Sequence, residues 1–281
     1  MKHLILTAFA KSKCIWNPLI YFMMNAQLRR GMVSMMWKTF CQFQDSTESS
    51  SPGEPKHKGI QRDPMGRDSS KIVTMFIPCS NTVQKTILFS HGNGEDLGRV
   101  AHFLLKLSDK FDCNVFSYDY SGLGRSTGKP SEDDLYADIK AALEVLRTKY
   151  GVPEERVVLY GKSLGTAPTA QLASKLKKLS GVILHSPLSS GLGMVLSGTW
   201  SMGPFPVAEL VPLIDSPVLV IHGTQDEIIP LSHGKTVHER CLKPVRPLWV
   251  EGAGHLNIHD YSEYWERVER FLAGELSREW K

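Results

Sequence analysis

From residue 71 onward the chain falls into short apolar runs, separated by turns rich in Gly and Pro and by stretches with helical spacing. The runs are KIVTMFI (71–77), KTILFS (85–90), NVFSYDY (114–120), RVVLY (156–160), GVILH (181–185), PVLVIHG (217–223) and PLWVEG (247–252). Most are near-continuously apolar, as strands covered on both faces are. Residues 131–151 read differently: Leu135, Ile139, Ala142, Leu143 and Leu146 recur on one helical stripe. Ser131 stands where it caps that helix, acids occupy the first turn, and Gly151 follows the last. A final helix from about Asp260 to Leu276 buries Tyr261, Tyr264, Val268, Phe271 and Leu272 by the same logic. Strands alternating with helices predict one α/β domain with a mostly parallel central sheet flanked by helices.

Residues 45–70 are polar and rich in Ser, Pro and Gly, which predicts a linker. The chain is accordingly divided into an N-terminal region, 1–59, and a folded domain, 60–281. At the start, MKHLILTAFAKSK has a basic end and a short apolar run, but Lys11 and Lys13 break it too early for a secretory leader. CIWNPLIYFMM (14–24) contains Asn17 and Pro18 and is too short to span a bilayer. With Arg29 and Arg30 behind it, it reads as a segment lying on a membrane surface.

Composition changes this picture little. With 42% hydrophobic and 22% charged residues the chain can bury a full core. A net charge of +4 and no tract of five or more Lys or Arg argue against a nucleic-acid partner. The five cysteines, at 14, 41, 79, 113 and 241, include no C-x-x-C. They read as reduced thiols in a cytosolic setting, and the ten histidines form no metal-binding spacing beside an acid.

The chemistry concentrates in VVLYGKSLGT (157–166). Gly-Lys-Ser would end a phosphate-binding loop, but that loop needs a glycine five residues before Gly161, and Arg156 stands there. A dinucleotide fingerprint in HGNGEDLG fails as well, because its third glycine position is Leu97. Gly-x-Ser-x-Gly after a strand and before a helix fits the nucleophile elbow of an α/β hydrolase, with Ser163 as nucleophile. In that fold the acid and then the base follow the serine, each in a loop after a strand. Asp226 follows PVLVIHG and His255 follows PLWVEG, so Ser163, Asp226 and His255 come in the required order. The backbone N–H groups of Asn93 and Leu164 are the expected oxyanion donors. His259 is the rival base and Glu227 the rival acid; Asp96 and Asp119 are expected to fix loops, and His91, His185 and His222 to bond locally. No metal or cofactor is called for.

The strings LFSHGN, FSYDYSG, STGKPSE, LYADI, LRTKYG, GVILHSPL, PVLVIHGTQDE, SHG and PLWVEGAGH resemble the α/β-hydrolase domain-containing protein 17 family, membrane-associated depalmitoylases, over about residues 71–276. The resemblance implies an α/β-hydrolase fold with Ser163, Asp226 and His255 as its triad. It further implies cleavage of palmitoyl thioesters on protein cysteines, S-acylated proteins being the substrates. The implied location is cytoplasmic, peripheral on the cytosolic face of the plasma membrane or endosomes. The chain departs from the family in three places. The family's tight N-terminal cysteine cluster is replaced by the distant Cys14 and Cys41 as lipidation candidates, two signals being what stable anchoring takes. Lys162 stands where the resemblance implies a neutral Gln. Residues 189–216 match poorly and are expected to form a short lid, with Trp200, Met202, Phe205 and Val207 as candidates for an acyl groove against the alternative of plain packing. Alternatives to the thioesterase reading are a carboxylesterase or lysophospholipase with the same triad, and a catalytically silent binding module.

Overall fold

The computed structural model describes residues 44–45, 71–79, 85–190 and 205–275. Among the described residues eight strands form one sheet: β1 (Gln44–Asp45), β2 (Val73–Ile77), β3 (Thr86–Ser90), β4 (Asn114–Tyr118), β5 (Val157–Lys162), β6 (Gly181–His185), β7 (Val218–Gly223) and β8 (Leu248–Val250). Their order is β1-β2-β4-β3-β5-β6-β7-β8; β1 and β2 run antiparallel to their neighbours, and every pair from β4 to β8 is parallel. Each of the seven apolar runs becomes a strand, and β3, β5, β6 and β7 are buried along their entire length. Continuous apolar sequence is what two covered faces demand. β1 takes in Asp45, the first residue of the expected linker.

Helices α1 (Leu97–Phe111) and α6 (Ser262–Arg270) cover one face of the sheet, packing Leu97, Leu104, Leu107, Tyr264 and Val268 against Ile87, Phe89, Val158 and Ile221. On the other face α2 (Glu132–Lys149), α3 (Thr166–Ala173), α4 (Val207–Leu210) and α5 (Leu231–Arg240) close over Leu88, Leu159, Val182 and Val220. The α2 stripe is buried at all five predicted positions, and Ser131 Oγ accepts the Asp134 N–H at 3.1 Å as the cap. The last helix begins two residues later than its pattern suggested and ends in a π-turn, Phe271–Glu275; Tyr261 before it is half-buried rather than buried.

The lid expectation is corrected in its C-terminal part. Phe205 and Val207 are completely buried in the core, and α4 packs against α3 and α5. Apolar residues there serve packing, the plainer of the two readings. Trp200 and Met202, like residues 1–43 and the linker from 46 to 70 with Cys14 and Cys41, lie outside the described residues. Among the described residues, no helix is long and apolar enough to cross a membrane.

Candidate active site

Four loops meet at the C-terminal edge of the parallel strands, the ends of β3, β5, β7 and β8, where ligands bind in open α/β sheets. β5 delivers Ser163 into a 3₁₀ turn, Ser163–Gly165, that leads directly into α3. Ser163 has φ of 53°, a left-handed conformation costing a non-glycine residue about 1–2 kcal/mol. The turn can be this tight because its flanking positions carry no side chain. A β-carbon at Gly161 would fall 2.6 Å from Thr169 Oγ1, and one at Gly165 would fall 2.6 Å from the carbonyl carbon of Ser90. The glycine spacing is thus a packing requirement of the elbow.

Asp226, in the loop after β7, is held by donors on both oxygens. Oδ1 accepts the backbone N–H of Ile228 at 2.9 Å and of Ile229 at 2.7 Å. Oδ2 faces His255 Nδ1 at 2.7 Å. The carboxylate next to Nδ1 places the imidazole proton there, leaving the Nε2 lone pair to face Ser163 Oγ at 3.0 Å. Ser163, Asp226 and His255 are 9%, 9% and 4% exposed, so this line is largely screened from water. Burial alone would raise the Asp226 pKa. Hydrogen bonds from His222, His255 and the Ile229 amide overcome it and hold the carboxyl well below the usual range. Asp226 is therefore an anion at any working pH.

The loop after β3 borders the serine at Gly92, whose position would put a β-carbon 3.5 Å from Ser163 Cβ. Tyr120 Oη donates to the His91 carbonyl at 2.6 Å, and Gly92 N–H donates to Glu95 Oε2 at 2.8 Å, fixing the loop from two sides. Asn93 lies exposed in this loop, and Leu164 is buried as the first residue after Ser163. Both expected oxyanion donors thus belong to segments that flank Ser163.

The rival residues have other work. His259 packs edge-on against Phe103 with ring centroids 5.3 Å apart, and its carbonyl accepts the Trp265 indole N–H at 2.8 Å. Glu227 Oε2 accepts the backbone N–H of His255 at 3.1 Å, so it fixes the His255 backbone rather than pairing with its ring. Asp119 accepts the Leu97 N–H and Asp96 the Arg99 N–H, both anchoring the start of α1. His91 Nδ1 meets the Gly92 carbonyl at 2.9 Å, and His185 Nδ1 meets Tyr160 Oη at 2.8 Å. His222 does bond locally, to the Ile229 carbonyl at 2.8 Å, but its Nε2 also lies 3.2 Å from Asp226 Oδ2. That second contact and the role of Glu95 escaped the sequence reading. The available signal was Lys162 itself, because an ammonium beside a buried nucleophile needs an acidic partner.

A mostly parallel sheet with a strained serine turn after its central strand defines an α/β hydrolase. Residues 81–200 match the family described as serine aminopeptidase, S33. The chain is 49% identical over 210 residues to human alpha/beta hydrolase domain-containing protein 17B, covering 74% of this chain and 73% of that one. It is 50% identical to mouse alpha/beta hydrolase domain-containing protein 17C over the same share of this chain and 65% of that one. An α/β serine hydrolase homologue from Coxiella burnetii shares the fold with a TM-score of 0.60 at 20% identity, covering 79% of this chain and 100% of that one. The chain belongs to the α/β-hydrolase domain-containing protein 17 family.

Proposed function

We propose that the protein is a serine hydrolase cleaving acyl thioesters, with palmitoyl-cysteine in proteins as its substrate. The observation that carries the hydrolytic part is the line from Ser163 Oγ through His255 to Asp226, at 3.0 and 2.7 Å. The thioester part rests on family membership and on the motif strings shared with that family.

In this mechanism His255 Nε2 takes the Ser163 proton as Oγ attacks the thioester carbonyl. Asp226 keeps the ring oriented and stabilises the imidazolium that forms. N–H groups of Asn93 and Leu164 hold the oxyanion, a single such donor being worth ~10²–10³ in rate. When the tetrahedral state collapses, the C–S bond breaks and the cysteine sulfur leaves with the proton from His255. Water, deprotonated by the same nitrogen, then attacks the acyl-serine ester and releases the fatty acid. The N-terminal region would bring the enzyme to the membrane where its substrates sit, with Cys14 and Cys41 as the lipidated positions.

The test is hydrolysis of a palmitoyl-cysteine peptide by the full chain, wild type beside Ser163→Ala. Palmitate release that disappears with Ser163 is the expected result. A wild type that labels with a fluorophosphonate but releases no palmitate would move the enzyme to an oxygen-ester substrate.

A further inference from the structure

The residue immediately before the nucleophile is a lysine whose side chain is 11% exposed. Its ammonium reaches Glu95, 22% exposed, with Nζ 2.5 Å from Oε1. The two residues are 67 positions apart and stand on different segments: Glu95 in the loop after β3, Lys162 at the end of strand β5. The other oxygen of Glu95 accepts the Gly92 N–H at 2.8 Å. One carboxylate therefore ties the serine turn to the loop that borders it. Both side chains line a cavity of about 110 Å³ together with the apolar Phe89, Val100 and Phe103 and the polar Arg99, His185 and His259. Burial would raise the Glu95 pKa, but the Lys162 charge and hydrogen bond, with the Gly92 amide, bring it below the ordinary value, so both oxygens remain acceptors.

We propose that Glu95 and Lys162 form a strut that sets the position of the Asn93 loop against Ser163, which makes both of them positioning residues for acyl transfer. This rests on the serine-hydrolase reading. An oxyanion donor acts at 2.7–3.1 Å from the oxygen it stabilises, and a displacement of about 1 Å can cost ~10²-fold in rate. The interaction exists in the transition state, so loosening the strut lowers kcat and leaves substrate binding nearly unchanged.

The experiment compares four full-length chains: wild type, Glu95→Gln, Lys162→Gln and the double variant. It reads kcat and KM on a short-chain p-nitrophenyl ester, the rate of fluorophosphonate labelling, and the melting temperature. In Glu95→Gln the carboxamide cannot satisfy both Gly92 N–H and the ammonium. We expect kcat and labelling rate to fall ~10–100-fold with KM within about twofold. In the double variant the carboxamide that replaces the Glu95 carboxylate accepts from Gly92 N–H and donates to the carboxamide that replaces the Lys162 ammonium. This rebuilds an uncharged bridge, so the rate recovers most of that loss. Multiplicative losses in the double variant would overturn the strut, and so would wild-type rates in Glu95→Gln or rate losses that merely follow melting temperature. A wild type that does not label would overturn the serine-hydrolase reading and the strut together.

Discussion

His222 Nε2 lies 3.2 Å from Asp226 Oδ2, and His255 Nδ1 lies 2.7 Å from the same oxygen. The Ile229 carbonyl, 2.8 Å from His222 Nε2, is also an acceptor, so that nitrogen carries the proton and donates. Asp226 thus receives four donors, two from the backbone and two from imidazoles, which is why its charge survives burial. With Asp226 replaced by Asn, the ring proton of His255 loses its anionic acceptor. We expect kcat to fall ~10⁴-fold with the fold intact, the size of loss seen when a triad acid is replaced. Glu227→Gln keeps an oxygen for the His255 amide and should cost less than ~10-fold. Kinetics of the two variants side by side decide which carboxylate is the acid; the reverse ranking would transfer that role to Glu227.

The elbow makes a stability prediction that is separate from chemistry. Gly165→Ala drives a methyl group into the Ser90 backbone, where neither chain segment can yield easily. The cost should be about 2–3 kcal/mol, read by urea denaturation, with fluorophosphonate labelling reduced as the turn distorts. Ser163→Ala, by contrast, should unfold at nearly the wild-type denaturant concentration while losing all labelling. Equal stability of Gly165→Ala and wild type would mean that the elbow has slack.

How much of this was legible in the sequence depended on range. The meeting of Ser163, Asp226 and His255 was readable because each follows an apolar strand, and the fold fixes both their order and the edge of the sheet at which they end. Asp226 was separable from Glu227 by position, but what Glu227 does instead depends on the loop after β8 folding back to it. Phe205 and Val207 stayed open between groove and packing for a related reason: an apolar stretch between strands looks alike as a lid or as core. The fact that decides is their burial among α3 and α5, distant in sequence. Lys162 marked the need for an acidic partner, but not which acid supplies it, because Glu95 stands 67 residues away.

Phe205 separates the two readings experimentally. It is fully buried, so Phe205→Ala should destabilise the protein by about 3–5 kcal/mol. An acyl-groove residue would behave otherwise, shifting the preference among acyl chains of different length at little cost in stability. Thermal unfolding together with a chain-length series of ester substrates tells the two apart; a shifted preference at unchanged stability would restore the groove reading.

Asp138 gives the protein a stability dependence on pH that is independent of the active site. Its carboxylate stands on the buried face of α2, accepting the Ser121 N–H at 2.7 Å and the Ser121 hydroxyl at 2.9 Å. Burial outweighs these bonds and pushes its pKa up to about 6 from an ordinary 3.8. Between these values the folded chain holds a proton that the unfolded chain has released. Stability therefore falls as pH rises from about 4 to about 6, by up to about 3 kcal/mol, and this group adds no further change above that. Asp138→Asn cannot titrate, so the difference in unfolding free energy between wild type and variant isolates the effect. Urea titrations at pH 4, 5, 6 and 7 should show wild type losing ground to the variant up to about pH 6 and then holding a constant gap. If wild type instead gains on the variant as pH rises, the two Ser121 donors outweigh burial, and Asp138 is held as an anion.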